Sequence, residues 1–333
     1  MSNGEYKQDD PRLRPVPLDA YAWTPLPSPP TPDAIVKVSL IPTSKLVAPL
    51  RLFTPSANDD ETEEAPSRSF LIEKGDEAIL FDMGLRADPE HNPRKIVEGP
   101  LKQFKPLPGR GPIERLQGHE YDLSRLKLVV LSHQHFDLMQ PFWPHVYLSY
   151  QHHSLSGNLD TLPSPAPPIL LGPHSLESIG SGYPADPNAA WPQSWLDKYR
   201  FVELPGAEAE GAWAGEIARV RLGASHGGDA SHSQDLYLPV PTSREHDLRL
   251  PLPVIDGQPQ LAVDPALATH TIGQLTRMSA EENVMVLLAH EGEAGGVVDV
   301  YPGDLGQWKA KGWKEAKERG VNDRVEARRR GRA

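Results

Sequence analysis

Cysteine is missing from this sequence altogether. That excludes disulfide scaffolds, iron–sulfur clusters, thiolate-bound zinc and cysteine nucleophiles in one step. Long apolar runs are missing too: none approaches the roughly 18 residues that a membrane-spanning helix needs. The first ten residues hold no apolar stretch of the kind a secretory leader requires. The expectation is a soluble, cytoplasmic protein with no membrane partner. Positive charge is in short supply. Lys and Arg number 34 against 45 Asp and Glu, for a net charge of −11, which argues against nucleic acid as a partner. Phosphate-binding and nucleophile-elbow motifs fail as well. No Gly-x-Gly-x-x-Gly or Gly-x-x-x-x-Gly-Lys-Ser/Thr element follows a strand-like run, and there is no Gly-x-Ser-x-Gly.

What the chain does hold is proline and glycine, 36 and 27 in 333 residues, so much of it is loop. A chain of this length buries roughly three quarters of its extended surface, enough for one large domain. Residues 1–33 carry eight prolines and read as an extended arm. Residues 34–319 read as the folded domain, and 320–333 as a basic, solvated tail. Strand-like runs fall at 34–41, at 126–132, at 145–153, at 169–171, at 200–204 and at 217–222. Two more flank Lys74-Gly75-Asp76, a hairpin signal. The run 283–289 is the strongest strand candidate of the C-terminal half. Helical spacing is found over 265–279 and 305–319, with a helical turn at 192–198. Strands dispersed among helices predict an α/β architecture.

The most informative segment is Leu128-Val129-Val130-Leu131-Ser132-His133-Gln134-His135-Phe136-Asp137. A β-branched run ends in two imidazoles and a carboxylate at alternating positions, which puts the three side chains on one face. Two other places look similar: Asp229, preceded by Gly227 and Gly228, and His290, at the end of the apolar run 283–289. Histidine and carboxylate without thiolate suit zinc, iron or manganese in a hydrolytic or redox site. The same spacing is also compatible with ordinary surface histidines, in a chain that has 13.

These blocks resemble the metallo-β-lactamase superfamily. Ser132-His133-Gln134-His135-Phe136-Asp137 resembles its HxHxDH motif, and Phe70 to Gly84 its opening hairpin with a strand-end aspartate, Asp82. Residues 227–232 resemble the block of the bridging aspartate, and 286–291 the last ligand block. Tyr301-Pro302 and Trp308-Lys309-Ala310-Lys311-Gly312-Trp313 are similar to the fungal lactonase-like branch. The resemblance implies a four-layer αβ/βα sandwich. It implies His133, His135, Asp137, Asp229 and His290 as metal ligands, with Asp137 and Asp229 also catalytic through orienting the nucleophile. Asp82 would hold the ligand loops by hydrogen bonds. The implied cofactor is Zn²⁺, one or two ions, with iron or manganese as alternatives. The implied activity is hydrolysis of a lactone, ester, thioester or related carbonyl in a small-molecule substrate by a metal-bound hydroxide.

The motif is degenerate in two places. Leu138 stands where a histidine directly follows the aspartate, and Ala207 where a Pro-Gly-His histidine is expected. Glu208, Glu210, His226 and His232 are candidate substitutes. The two departures motivate an alternative: a non-catalytic protein of the same fold with a binding or accessory role.

Overall fold

A computed structural model describes residues 5–13, 35–55, 57–107, 109–132, 159–172, 175–204, 236, 251–260, 265–288 and 290–330. Its centre is a seven-stranded mixed sheet. The strands are β1 (Lys37–Pro49), β2 (Thr62–Lys74), β3 (Glu77–Phe81), β4 (Lys105–Leu107), β5 (Leu126–Val130), β6 (Ile169–Leu171) and β7 (Phe201–Glu203). They lie in the order β4-β1-β2-β3-β5-β6-β7. The β2–β3 hairpin turns at Gly75, whose φ of 57° suits a residue without a Cβ. From β3 onward the neighbours β5, β6 and β7 pair in parallel. Short, fully apolar runs such as Ile169-Leu170-Leu171 are what a parallel sheet covered on both faces requires.

Alternation along β1 shows how the faces are filled. Ile41 joins Leu71, Leu80, Val129 and Ile169 in the main core, which also takes in Ile96 of α1 (Arg94–Glu98), Ile113 and Leu116 of α3 (Pro112–Gly118) and Trp195 of α5 (Gln193–Lys198). Its neighbour Leu40 points the other way and packs with Val298, Leu305 and Trp313. The short α2 (Pro100–Gln103) and α4 (Ser175–Ile179) are the other α-helices among the described residues before 204. A third cluster joins Leu13, Leu252, Ile272 of α6 (Pro265–Ser279), and Val321 and Val325 of α7 (Trp313–Arg330). Helix α7 thus takes in most of the stretch expected as a basic tail, with Val321 and Val325 each 1% exposed. Part of the N-terminal arm is also packed. Gln8 bonds Leu252 O and Val254 N beside the hairpin of β8 (Val254–Ile255) and β9 (Gln258–Pro259).

Two expectations need correction. The run 283–289 is not a strand among the described residues: 284–288 join no ladder. Side chains take its backbone groups instead. Lys317 Nζ donates to Val286 O, Arg68 Nη1 donates to Leu288 O, and Leu288 N–H donates to Glu291. The helix expected over 305–319 begins only at Trp313, because Gly312, at a φ of 63°, breaks the helical path just before it; upstream, Tyr301 and Leu305 donate their N–H groups to Leu40 O and Val38 O of β1. The strands expected at 145–153 and 217–222 lie outside the described residues.

At the turn end of the sheet, buried Glu73 accepts from Tyr121 Oη at 3.3 Å and pairs with Lys37 and Arg125 at 3.0 and 3.2 Å. Burial, and next the Glu73 charge, push the Tyr121 phenol up to about 12. An unfolded tyrosine ionises near ~10, so between those values the folded chain keeps a proton that the unfolded chain loses. Stability should therefore fall as pH rises across that window. Tyr121→Phe should flatten this alkaline loss in urea titrations, and an unchanged slope would refute the assignment.

Candidate metal centre

The register places the site at the opposite end of the sheet. Phe70 of β2 faces Phe81, the last residue of β3, so Pro66, Ser67 and Arg68 project past the carboxyl end of β3. Ligands in open parallel sheets gather at this end. Asp82 leaves β3 with a φ of 61°, a conformation that aspartate tolerates better than most residues. Its N–H donates to Val130 O at 2.8 Å. Its carboxylate accepts from Ser132 N at 2.9 Å and from Ser132 Oγ at 2.9 Å. Asp82 is 5% exposed. The strand-end aspartate therefore grips the residue immediately before His133.

His290 reaches the same end from the other side. It is 6% exposed, and its Nδ1 lies 2.7 Å from Pro66 O. A carbonyl only accepts, so Nδ1 carries the proton and the neutral ring has its lone pair on Nε2. That is the tautomer of an Nε2 metal ligand whose other nitrogen is tied to the protein.

Behind His290 sits a buried ion pair that sequence reasoning missed. Glu291 and Lys317 of α7 are 3.0 Å apart, with side chains 0% and 2% exposed. Burial pushes the Glu291 carboxyl up, against the pull of the Lys317 ammonium and the Leu288 N–H. Lys317 also donates to Val286 O. A signal was present: Trp313, Lys317, Val321 and Val325 recur every fourth residue, so one lysine occupies an otherwise apolar stripe. A lysine so placed needs a buried carboxylate partner.

His133, His135, Asp137 and Asp229 lie outside the described residues, as do Leu138, Ala207, Glu208, Glu210, His226 and His232. Among the described residues no group of three or more His, Asp or Glu is gathered for a metal ion. No helix among them is long and apolar enough to cross a membrane.

The fold is that of the metallo-β-lactamases. A solved N-acyl homoserine lactone hydrolase, with its product N-hexanoyl-L-homoserine at the catalytic metal centre, superposes with a TM-score of 0.52 at 15% identity, covering 80% of this chain and 98% of that one. A quorum-quenching N-acyl homoserine lactone hydrolase gives 0.51 at 15% identity, over 80% and 97%. The fold expected from the four sequence blocks is thus borne out.

The curated relatives are fungal. Cytochrome P450 monooxygenase mpaDE of Penicillium roqueforti is 25% identical over 94% of this chain and 39% of its own length. The chain thus spans about two fifths of that relative. Gamma-lactamase FDB1 of Fusarium pseudograminearum is 24% identical over 85% of this chain and 78% of its own length. Metallo-hydrolase mfmC of Annulohypoxylon moriforme is 23% identical over 74% and 75%. No family model matches the chain.

Proposed function

We propose that this chain is a metal-dependent hydrolase of a lactone, lactam, ester, thioester or related carbonyl in a small-molecule substrate. The observation that carries the reading is His290. A buried imidazole with Nδ1 held by Pro66 O stands at the sheet end where Asp82 grips Ser132. The relatives named as a lactamase and a metallo-hydrolase, and the lactone hydrolases that share the fold, support the same class. The monooxygenase name does not carry over, because a P450 haem is held by a cysteine thiolate and this sequence has no cysteine.

His290, with His133, His135, Asp137 and Asp229, would supply an all-nitrogen and oxygen donor set whose chemistry fits zinc, with iron or manganese as alternatives. When bound, such an ion would supply an acidified water and polarise the substrate carbonyl. The chain supplies the rest. Pro66 fixes the His290 tautomer, Asp82 fixes where the 132–137 segment starts, and Asp137 and Asp229 orient the attacking water and take up its proton. Leu138 and Ala207 favour a second reading, a non-catalytic binding protein of the same fold.

Metal content and turnover separate the two. Purified chain reconstituted with zinc should hold at least one ion and open lactone or thioester probes. Chelation and His133→Ala should each abolish turnover. Tight metal without turnover would support the binding reading, and neither metal nor turnover would sink the hydrolase.

A further inference from the structure

We propose that Lys317 and Glu291 are positioning residues for His290, fixing the donor through helix α7 and so setting how tightly the centre holds its ion. The inference rests on the metal-hydrolase reading above. Five polar contacts, to β2, to α7 and within the loop itself, bracket a loop that has no ladder of its own. Pro66 O on β2 takes His290 Nδ1 at 2.7 Å. Arg68, two residues along the same strand, caps Leu288 O at 3.4 Å. Glu291 turns back on its own loop to accept from Leu288 N–H at 3.1 Å. Lys317 joins Glu291 and Val286 O in one grip. His290 lies between the residues so fastened.

The arrangement is specific in its chemistry. An apolar pair would fill the same space without desolvating two charges, and would often be as stable. An ammonium has three donors, so it can bind a carboxylate and a backbone carbonyl together. That fixes the direction of the loop as well as its depth. Precision of a ligand to fractions of an ångström is where such a device has its effect. Lys317 touches neither substrate nor metal on this account and acts only through His290.

The test is zinc affinity of the full chain, measured by competition with a chromophoric chelator on protein whose fold is checked by circular dichroism. Lys317→Met and Glu291→Gln should each weaken zinc binding roughly tenfold to a hundredfold, the range for lost partners of metal ligands. Val321→Ala, one turn further along α7 and buried in the core, should lower the melting temperature and leave zinc affinity unchanged. Should Lys317→Met fail to fold, Glu291→Gln alone carries the test, because it keeps shape and one acceptor. Variants that bind zinc as tightly as the wild type overturn this inference alone. So does a Val321→Ala loss of affinity as large as theirs, since that would mark a merely structural role. A wild-type chain that takes up no zinc overturns it together with the hydrolase reading.

Discussion

Replacing Asp82 with alanine should destabilise the chain by about 2–5 kcal/mol and cut turnover severely. Two separate physical effects add. The first is the loss of an acceptor for Ser132 N–H and Oγ–H, both at 2.9 Å, which costs about 1–3 kcal/mol when a donor is left without its partner. The second is the backbone, because a φ of 61° costs an ordinary L-residue about 1–2 kcal/mol. Three substitutions separate them in urea denaturation. Asp82→Gly relieves the backbone and loses the acceptor. Asp82→Ala suffers both. Asp82→Asn keeps tolerance of the left-handed region and one carbonyl acceptor. The expected order of loss is Ala, then Gly, then Asn. Equal losses for Ala and Gly would refute the strain argument, and an Asn variant as poor as Ala would refute the acceptor argument. Metal affinity should follow the same order, because Ser132 is where the His133 segment begins.

This ordering depends on a feature that was legible in the sequence. The apolar run 77–81 stops at an aspartate and two residues later at a glycine, and strand-end polar residues of that kind open loops. Local signals of this sort also gave the hairpin at Gly75, the helix at 265–279 and the short parallel strands at 169–171 and 201–203. In each case the pattern lies within one segment, and the fold only had to agree with it.

The C-terminal half was harder to read because its backbone is satisfied from a distance. Residues 284–288 have the composition of a buried strand, yet their partners are Arg68, some 220 positions earlier, and Lys317, about 30 later. No period in the run itself encodes that. Lys317 was missed because long charged side chains are presumed exposed, although its place in the Trp313, Val321, Val325 stripe argued otherwise. His290 was picked out as an end-of-run histidine. What makes it ligand-like, the 2.7 Å contact of Nδ1 with Pro66 O, joins positions 224 apart and is visible only in the fold. The other four expected donors lie outside the described residues, so their gathering around an ion belongs to the proposed function.

Gly84→Ala should be a strongly damaging single-methyl change near the site, at about 2–4 kcal/mol. Its φ of +68° is one that L side chains rarely adopt, and a Cβ there would collide with Thr43 Oγ1 and lie 2.8 Å from Thr43 Cβ. Thr43 cannot simply swing aside. It is buried in β1, and its hydroxyl donates to Ser67 O at 2.9 Å. The clash therefore passes into β2 at Ser67, next to the Pro66 carbonyl that holds His290, and into the loop that carries Asp82. Both grips on the site should loosen together, so turnover should fall further than the folded fraction alone explains. A double-mutant cycle decides whether the route runs through Thr43. Thr43→Ala alone should cost about 1 kcal/mol for its lost hydrogen bond. Combined with Gly84→Ala it should recover about 1 kcal/mol of the clash, a non-additivity expected of side chains in contact. Recovery should be partial, since the positive φ and the Thr43 Cβ remain. Strict additivity in stability, with turnover unaffected by Gly84→Ala, would show that the turn after β3 tolerates a side chain and plays no part in aligning the site.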